Sequence, residues 1–113
     1  MEGKRIKGDA SDDVYLCLEG KLRHVTSPQV YAGLFGKAPY ETVHQGLVDH
    51  YPKGQPLDQV TSLVQGFDAP IYLIDQGQKR HIHDEATLNT YFAGGKVTNI
   101  GSVVSLLPDG SQV

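Results

Sequence analysis

The pattern of apolar and polar positions along this chain occurs twice. The run VYLCLEGKLRHV at residues 14–25 returns as IYLIDQGQKRHI at residues 71–82, 57 positions later. A Pro-x-Gly at residues 52–54 returns at residues 108–110 with an offset of 56. A fixed period of this size is typical of a repeated structural unit. We therefore divide the chain into repeat one, about residues 4–54, and repeat two, about residues 62–110.

Each long run predicts a β-hairpin. Two β-prone stretches flank a two-residue loop with glycine second, at residues 19–20 and 76–77, and such loops form tight turns whose twist matches that of the strands. The loop position fixes the register and pairs a tyrosine with a histidine in each copy: Tyr15 with His24, and Tyr72 with His81. The opposite face then pairs a leucine with an arginine: Leu16 with Arg23, and Leu73 with Arg80.

A short helix is predicted after each hairpin. Ser27 is a favourable N-cap before Pro28 at the first helical position, and Asp84 takes the N-cap place in repeat two. The apolar residues behind these caps are spaced for one buried stripe per helix: Val30, Tyr31, Leu34 and Phe35, then Leu88, Tyr91 and Phe92. A further strand is predicted before each hairpin, at residues 4–8 and 62–66, and an extended piece follows each helix.

These elements predict an α+β fold with two pseudo-symmetric repeats. Each repeat is a β-hairpin with an extra strand and a short helix. A half of about 55 residues buries too little surface to be stable alone, so we expect the repeats to share one core within a single domain, 1–113. Two arrangements stay open: the sheets of the two halves join, or they pack with the helices between them.

Composition narrows the range of partners. The chain has 10 Lys and Arg against 13 Asp and Glu, which argues against nucleic-acid binding and against docking on an anionic membrane. No apolar run approaches the length of a spanning helix, and the first residues lack the apolar stretch of a signal peptide. Cys17 is the single cysteine, and in an apolar strand we expect it to serve packing.

The repeated run resembles a small module found in tandem in bacterial secreted and cell-surface proteins, often beside hydrolase or wall-associated domains. The resemblance covers residues 4–54 and 62–110. Its specific part in each hairpin is the tyrosine of the first strand, the glycine of the turn, and the basic residues and histidine of the second strand. Repeat one departs from the pattern at Leu22, and repeat two departs at Gln78. The resemblance implies an accessory or attachment role outside the cell, and it transfers no catalytic residue.

Residues 81–84, with sequence His-Ile-His-Asp, are the most suggestive local cluster. Histidines two apart on a strand point to the same face, which is a spacing that metal sites use. However, repeat one has Thr26 in place of His83, and Asp84 is better explained as a helix cap. We therefore expect structural histidines, with no metal and no cofactor.

The recurrent arginines and tyrosines each allow two interpretations. Arg23 and Arg80 could recognise an anion or a sugar, but we favour a structural role in which they bind backbone carbonyls or a carboxylate such as Asp12, Asp13 or Asp68. Tyrosines could form a sugar-stacking platform, although the chain has no tryptophan.

The sequence contains no phosphate-binding glycine loop, His-Glu-x-x-His or Gly-x-Ser-x-Gly. We expect a noncatalytic binding or attachment module with a surface polysaccharide as ligand. The expected binding residues form the tyrosine–histidine face: Tyr15, His24, Tyr72 and His81. The alternative is a protein-interaction or spacer module that self-associates through exposed strand edges. A small enzyme ranks third.

Overall fold

The computed structural model describes all 113 residues. Its elements follow one another in the order β1 (Arg5–Gly8), β2 (Val14–Leu18), β3 (Lys21–Val25), α1 (Pro28–Phe35), β4 (Glu41–Val43), α2 (Gln45–His50), β5 (Ser62–Gln65), β6 (Ile71–Asp75), β7 (Gln78–His81), α3 (Glu85–Phe92), β8 (Val97–Asn99) and η1, a 3₁₀ helix (Gly101–Leu106). The fold is α+β, as predicted.

The two repeats form the same sheet. Repeat one has the strand order β3-β2-β1-β4, and repeat two has the order β7-β6-β5-β8. In each sheet the last pair of strands is parallel and the other pairs are antiparallel. Of the two arrangements left open by the sequence, a joined sheet is therefore wrong, because each repeat closes its own hydrogen-bonded set of strands.

The hairpin register is confirmed in both copies. The pairs of opposed residues are Tyr15 with His24, Leu16 with Arg23, Tyr72 with His81, and Leu73 with Arg80. Both loop residues have positive φ in each turn, with Glu19 at 56° and Gln76 at 53° before their glycines. This geometry defines the turn type whose twist matches that of paired strands. It also places the first loop residue of each turn in the left-handed backbone region, which is unfavourable for residues other than glycine.

The helix caps are also confirmed. The Ser27 hydroxyl accepts a hydrogen bond from the Val30 amide at 3.2 Å, and the Asp84 carboxylate accepts one from the Thr87 amide at 2.7 Å. Each bond satisfies an amide that has no partner inside the helix. Of the predicted stripe, Val30, Leu34, Phe35 and Phe92 are buried, whereas Tyr31, Leu88 and Tyr91 pack at the margin of the core.

One hydrophobic core joins the two repeats. It consists of eleven buried residues, of which six come from repeat one, one from the segment between the repeats and four from repeat two: Leu16, Leu18, Val25, Val30, Leu34 and Phe35, then Leu57, then Leu63, Leu73, Ile82 and Phe92. Phe35 and Phe92, which are equivalent positions of the two repeats, stack with ring centroids 6.0 Å apart and an interplanar angle of 11°. The repeats thus share a core, as expected from the size of each half.

The backbones of the two repeats also meet at glycines. A Cβ atom added to Gly36 would lie 2.3 Å from the Gly94 carbonyl oxygen, and one added to Gly95 would lie 2.3 Å from the Leu34 oxygen. The Lys96 amide donates to the Gly33 oxygen at 2.8 Å across the same contact. Larger residues at these positions would separate the two helices and open the shared core.

A smaller core lies on the outer face of the first sheet. Ile6, Cys17, Leu22 and Val48 are fully buried there, with Val48 contributed by α2. Burial raises the pKa of the Cys17 thiol above its ordinary value, despite a hydrogen bond with Tyr51. The packing role that the sequence predicts for this cysteine is consistent with its complete burial.

The stacked phenylalanines generate a stability prediction. Phe92→Ala should lower the free energy of unfolding by roughly 3–5 kcal/mol, because it removes a buried ring and leaves a cavity between the repeats. The matched control is Phe67→Ala, since Phe67 is 82% exposed and should change the free energy by less than about 0.5 kcal/mol. Urea denaturation measures both, and equal losses in the two variants would show that the Phe35–Phe92 stack is not central to the core.

Candidate functional site

The structure brings each predicted tyrosine to its histidine. The ring centroids are 5.4 Å apart for Tyr15 and His24, and 5.6 Å apart for Tyr72 and His81, with tilted planes of 45° and 48°. The two pairs lie on different sheets. No cavity is lined by residues of both pairs, so the predicted face divides into two separate copies.

A lysine lies over each of these tyrosine rings. The Lys53 ammonium is 6.0 Å from the Tyr15 ring centroid, and the Lys79 ammonium is 5.9 Å from that of Tyr72. The two lysines come from non-equivalent positions, but both make a cation–π contact. Burial, and then the charges of Asp13 and Asp49, raise the pKa of Tyr15. Each tyrosine is therefore partly covered, and Tyr15 is held as a neutral phenol.

A cavity lies beside each histidine, where the hairpin ends and the helix begins. Its volume is about 510 Å³ in repeat one and about 480 Å³ in repeat two. The lining includes equivalent positions of the two repeats, paired as Val14 with Ile71, His24 with His81, Val25 with Ile82, and Tyr31 with Leu88. Tyr15 and Tyr72 do not line these cavities. The histidine of each predicted pair thus has an open space beside it. The tyrosine packs against the histidine ring from the neighbouring strand.

The polar groups around the two cavities differ in detail. In repeat one, the His24 Nε2 atom lies 3.5 Å from a carboxylate oxygen of Asp13. In repeat two, His83 lies 3.7 Å from Asp84 and forms a 2.6 Å hydrogen bond with Gln112. The hydrogen bond from Thr87 lowers the pKa of Asp84, so this cap stays ionised. Across the chain, no group of three or more His, Cys, Asp or Glu side chains is arranged to hold a metal ion.

The leucine–arginine face lies between the repeats. Arg23 and Arg80 are only 6% and 5% exposed. The Arg23 guanidinium donates two hydrogen bonds of 2.7 Å to the Asp75 carboxylate, and Arg80 donates to Asp75 at 3.0 Å and to Glu19 at 2.7 Å. Three of these four hydrogen bonds cross from one repeat to the other, and only the Arg80–Asp75 bond lies within one repeat. The geometry supports the structural role expected of the arginines, but the suggested partners Asp12, Asp13 and Asp68 are wrong.

The sequence did not lead to Asp75 as the partner of the two arginines, although one feature of the repeat indicates it. It occupies the position where repeat one has Leu18, and it lies on the same strand face as Leu73. A carboxylate at an apolar position of a repeat indicates a buried charge partner. Burial raises the pKa of Asp75, but hydrogen bonds and charge from Arg23, and then from Arg80, outweigh burial and lower the pKa below its ordinary value.

The recurrent Pro-x-Gly has a structural explanation in the same region. The Arg23 Nε atom donates to the Gln55 carbonyl at 2.6 Å, and the Arg80 Nε atom donates to the Ser111 carbonyl at 2.9 Å. A Cβ atom on Gly54 would lie 3.3 Å from the Arg23 side chain, and one on Gly110 would lie 3.0 Å from that of Arg80. Glycine therefore lets an extended segment cross each arginine while its carbonyls accept hydrogen bonds.

The chain matches no protein-family model, no curated protein and no solved structure. Its longest α-helices have eight residues, and none is long and apolar enough to cross a membrane.

The arginine cluster generates a stability prediction. Asp75→Asn should lower the free energy of unfolding by roughly 3–5 kcal/mol at pH 7, because it leaves two buried guanidiniums without their shared carboxylate. Asp109→Asn is the matched control, since its carboxylate is 84% exposed beside Lys79 and should matter little. Chemical denaturation of both variants measures the difference.

The parent protein and the Asp75→Asn variant also test the pH dependence of stability. The pKa of Asp75 is lower in the folded than in the unfolded state, so its contribution is complete above the unfolded value of about 4 and is lost as the pH falls through the folded value. The advantage of the parent protein over Asp75→Asn should therefore shrink between pH 5 and strongly acidic pH. An advantage that grew on acidification would contradict an ionised Asp75.

Proposed function

We propose that this chain is a noncatalytic binding or attachment module of a bacterial surface or secreted protein, with a glycan as its ligand. The observation that carries the proposal is the duplicated cavity. Both copies lie at the same junction of hairpin and helix, both have a histidine at the rim, and their volumes of about 510 and 480 Å³ fall within the range of small-molecule sites.

The lining of the cavities is compatible with a sugar ring. Val14, Val25 and Tyr31 offer apolar surface in repeat one, and Ile71, Ile82 and Leu88 offer it in repeat two. The histidine rings and neighbouring polar groups can bond to hydroxyls at the ring edge. The resemblance to modules of secreted and wall-associated proteins supports a polysaccharide rather than a small metabolite.

A two-site module has a direct functional advantage on a polymer. Each open cavity can contact only a short part of a glycan, so each site alone binds weakly. When two sites on one chain engage the same polymer, the second binding step becomes intramolecular and the total affinity rises. Duplication of a simple site fits attachment better than it fits one asymmetric catalytic centre, and a small enzyme remains third.

Titration with wall polysaccharide fragments tests the proposal. NMR resonances of His24 and His81 should shift together, and calorimetry should give a stoichiometry near two. The variant His24→Ala should remove the repeat-one site and bring the stoichiometry to about one. His50→Ala is the matched control, because His50 is exposed on α2 and lines neither cavity. Shifts confined to Arg23 and Arg80 would move the site to the buried face and contradict the proposal.

A specific observation favours the second candidate, a self-associating interaction module. Phe67, Val103 and Leu106 are 82%, 53% and 79% exposed in repeat two. At one edge of each sheet the strand is short, since β4 and β8 have three residues each. At the other edge, β3 and β7 are covered by β-bridges to residues 53, 57 and 109. Short edges resist strand addition, so apolar contacts would have to dominate.

Sedimentation velocity distinguishes this candidate. If self-association is the function, the protein should dimerise at micromolar concentration, and Phe67→Ser with Leu106→Ser should restore the monomer. Leu47→Ser is the control on repeat one, because Leu47 is a 44% exposed apolar residue of α2. A monomer at all concentrations, together with glycan binding, would reject self-association.

A further inference from the structure

The two cavities are lined by acidic residues without any lysine or arginine, and no other cavity of the chain has this composition. Asp12 and Asp13 line the cavity of repeat one, Asp84 and Glu85 line that of repeat two, and neither contains a lysine or an arginine. The three remaining cavities each include at least one of these basic residues. Both binding cavities are therefore acidic, with histidine as their only basic residue type, on a chain whose formal charge is only −3.

The carboxylates reach the cavities from different elements. Asp12 and Asp13 lie in the turn before β2, and their equivalents in repeat two are Ala69 and Pro70. Asp84 and Glu85 begin α3, where repeat one has Ser27 and Pro28. The sequences of the two cavities thus differ at both places, yet each cavity has two carboxylates beside its apolar lining residues.

The geometry disfavours an anionic ligand. The helix N-terminus beside each cavity would attract an anion, but Ser27 and Asp84 each already accept a hydrogen bond from one of its free amides, and the Asp84 carboxylate itself repels an anion. A uronic acid or phosphate would also lie beside two carboxylates, which costs binding energy. A bare metal ion is disfavoured as well, because the acidic groups form no ligand cluster. A ligand with positive charge and an apolar face fits both features.

We propose that each cavity binds a sugar unit that carries a free ammonium group, so that the module selects glycans rich in unsubstituted amino sugars. The apolar floor of Val14 and Val25, or of Ile71 and Ile82, contacts the C–H face of the ring. The ammonium group lies toward the carboxylates. This inference rests on the proposed glycan-binding function and specifies the ligand class of the same two cavities.

Four oligomers of equal length test the inference by calorimetry at two salt concentrations. They are glucosamine hexamer, N-acetylglucosamine hexamer, galacturonic acid hexamer and hexalysine. We expect the glucosamine hexamer to bind best, with NMR shifts at His24 and His81, and to weaken as salt rises. The double variant Asp12→Asn with Asp13→Asn should weaken the repeat-one site by roughly 3- to 30-fold and leave the repeat-two shifts in place.

The control must separate local from overall charge. Glu41→Gln with Asp109→Asn makes the same change in net charge at exposed residues outside both cavities and should leave binding unchanged. Equal weakening by the two double variants would overturn the inference, and so would equal binding of hexalysine. Equal binding of the acetylated hexamer would overturn it while leaving the glycan function intact, whereas no binding of any sugar oligomer would overturn both.

Discussion

The carboxylate of Asp75 is the group on which the pairing of the repeats depends. It lies between Arg23 and Arg80, each of which also donates to the carbonyl of an extended segment. Two buried guanidiniums need more than one counter-charge, and Glu19 supplies the second from the hairpin turn of repeat one. The cluster is therefore close to neutral, which is the condition under which buried charges are tolerated.

This neutrality explains why the repeats cannot be identical. If repeat two retained leucine at position 75, as repeat one does at Leu18, both arginines would lose their shared partner. Glu19 in turn occupies an unfavourable backbone region with φ of 56°. Its amide and that of Gly20 donate to the Glu2 carboxylate, which also accepts from Tyr91 of repeat two. Asp75, Glu19 and Glu2 thus hold two similar units together as one pair.

The sequence predicts the parts of the fold that local physics decides. The two-residue turns determine the hairpin register, and Ser27 and Asp84 determine where the helices begin, because each effect depends on neighbours within a few residues. The partners of Arg23 and Arg80 could not be found this way, since Asp75 and Glu19 reach them across the repeat boundary. The cavities were missed for the same reason. They combine turn, strand end and helix start, and only packing shows that Leu88 lines such a space at the margin of the core.

The fixed arrangement of the two repeats also constrains how the two binding sites can cooperate. None of Glu19, Arg23, Asp75 and Arg80 lines either histidine cavity, so pairing the repeats leaves both cavities open. The shared core holds the two cavities at one separation within a molecule 44 Å long. A flexible linker would allow many separations, whereas a fixed one favours polymers whose recognised units recur at a matching distance. On the proposed function, selectivity therefore comes from two sources: the chemistry of each cavity, and the spacing that the arginine cluster and the stacked phenylalanines impose.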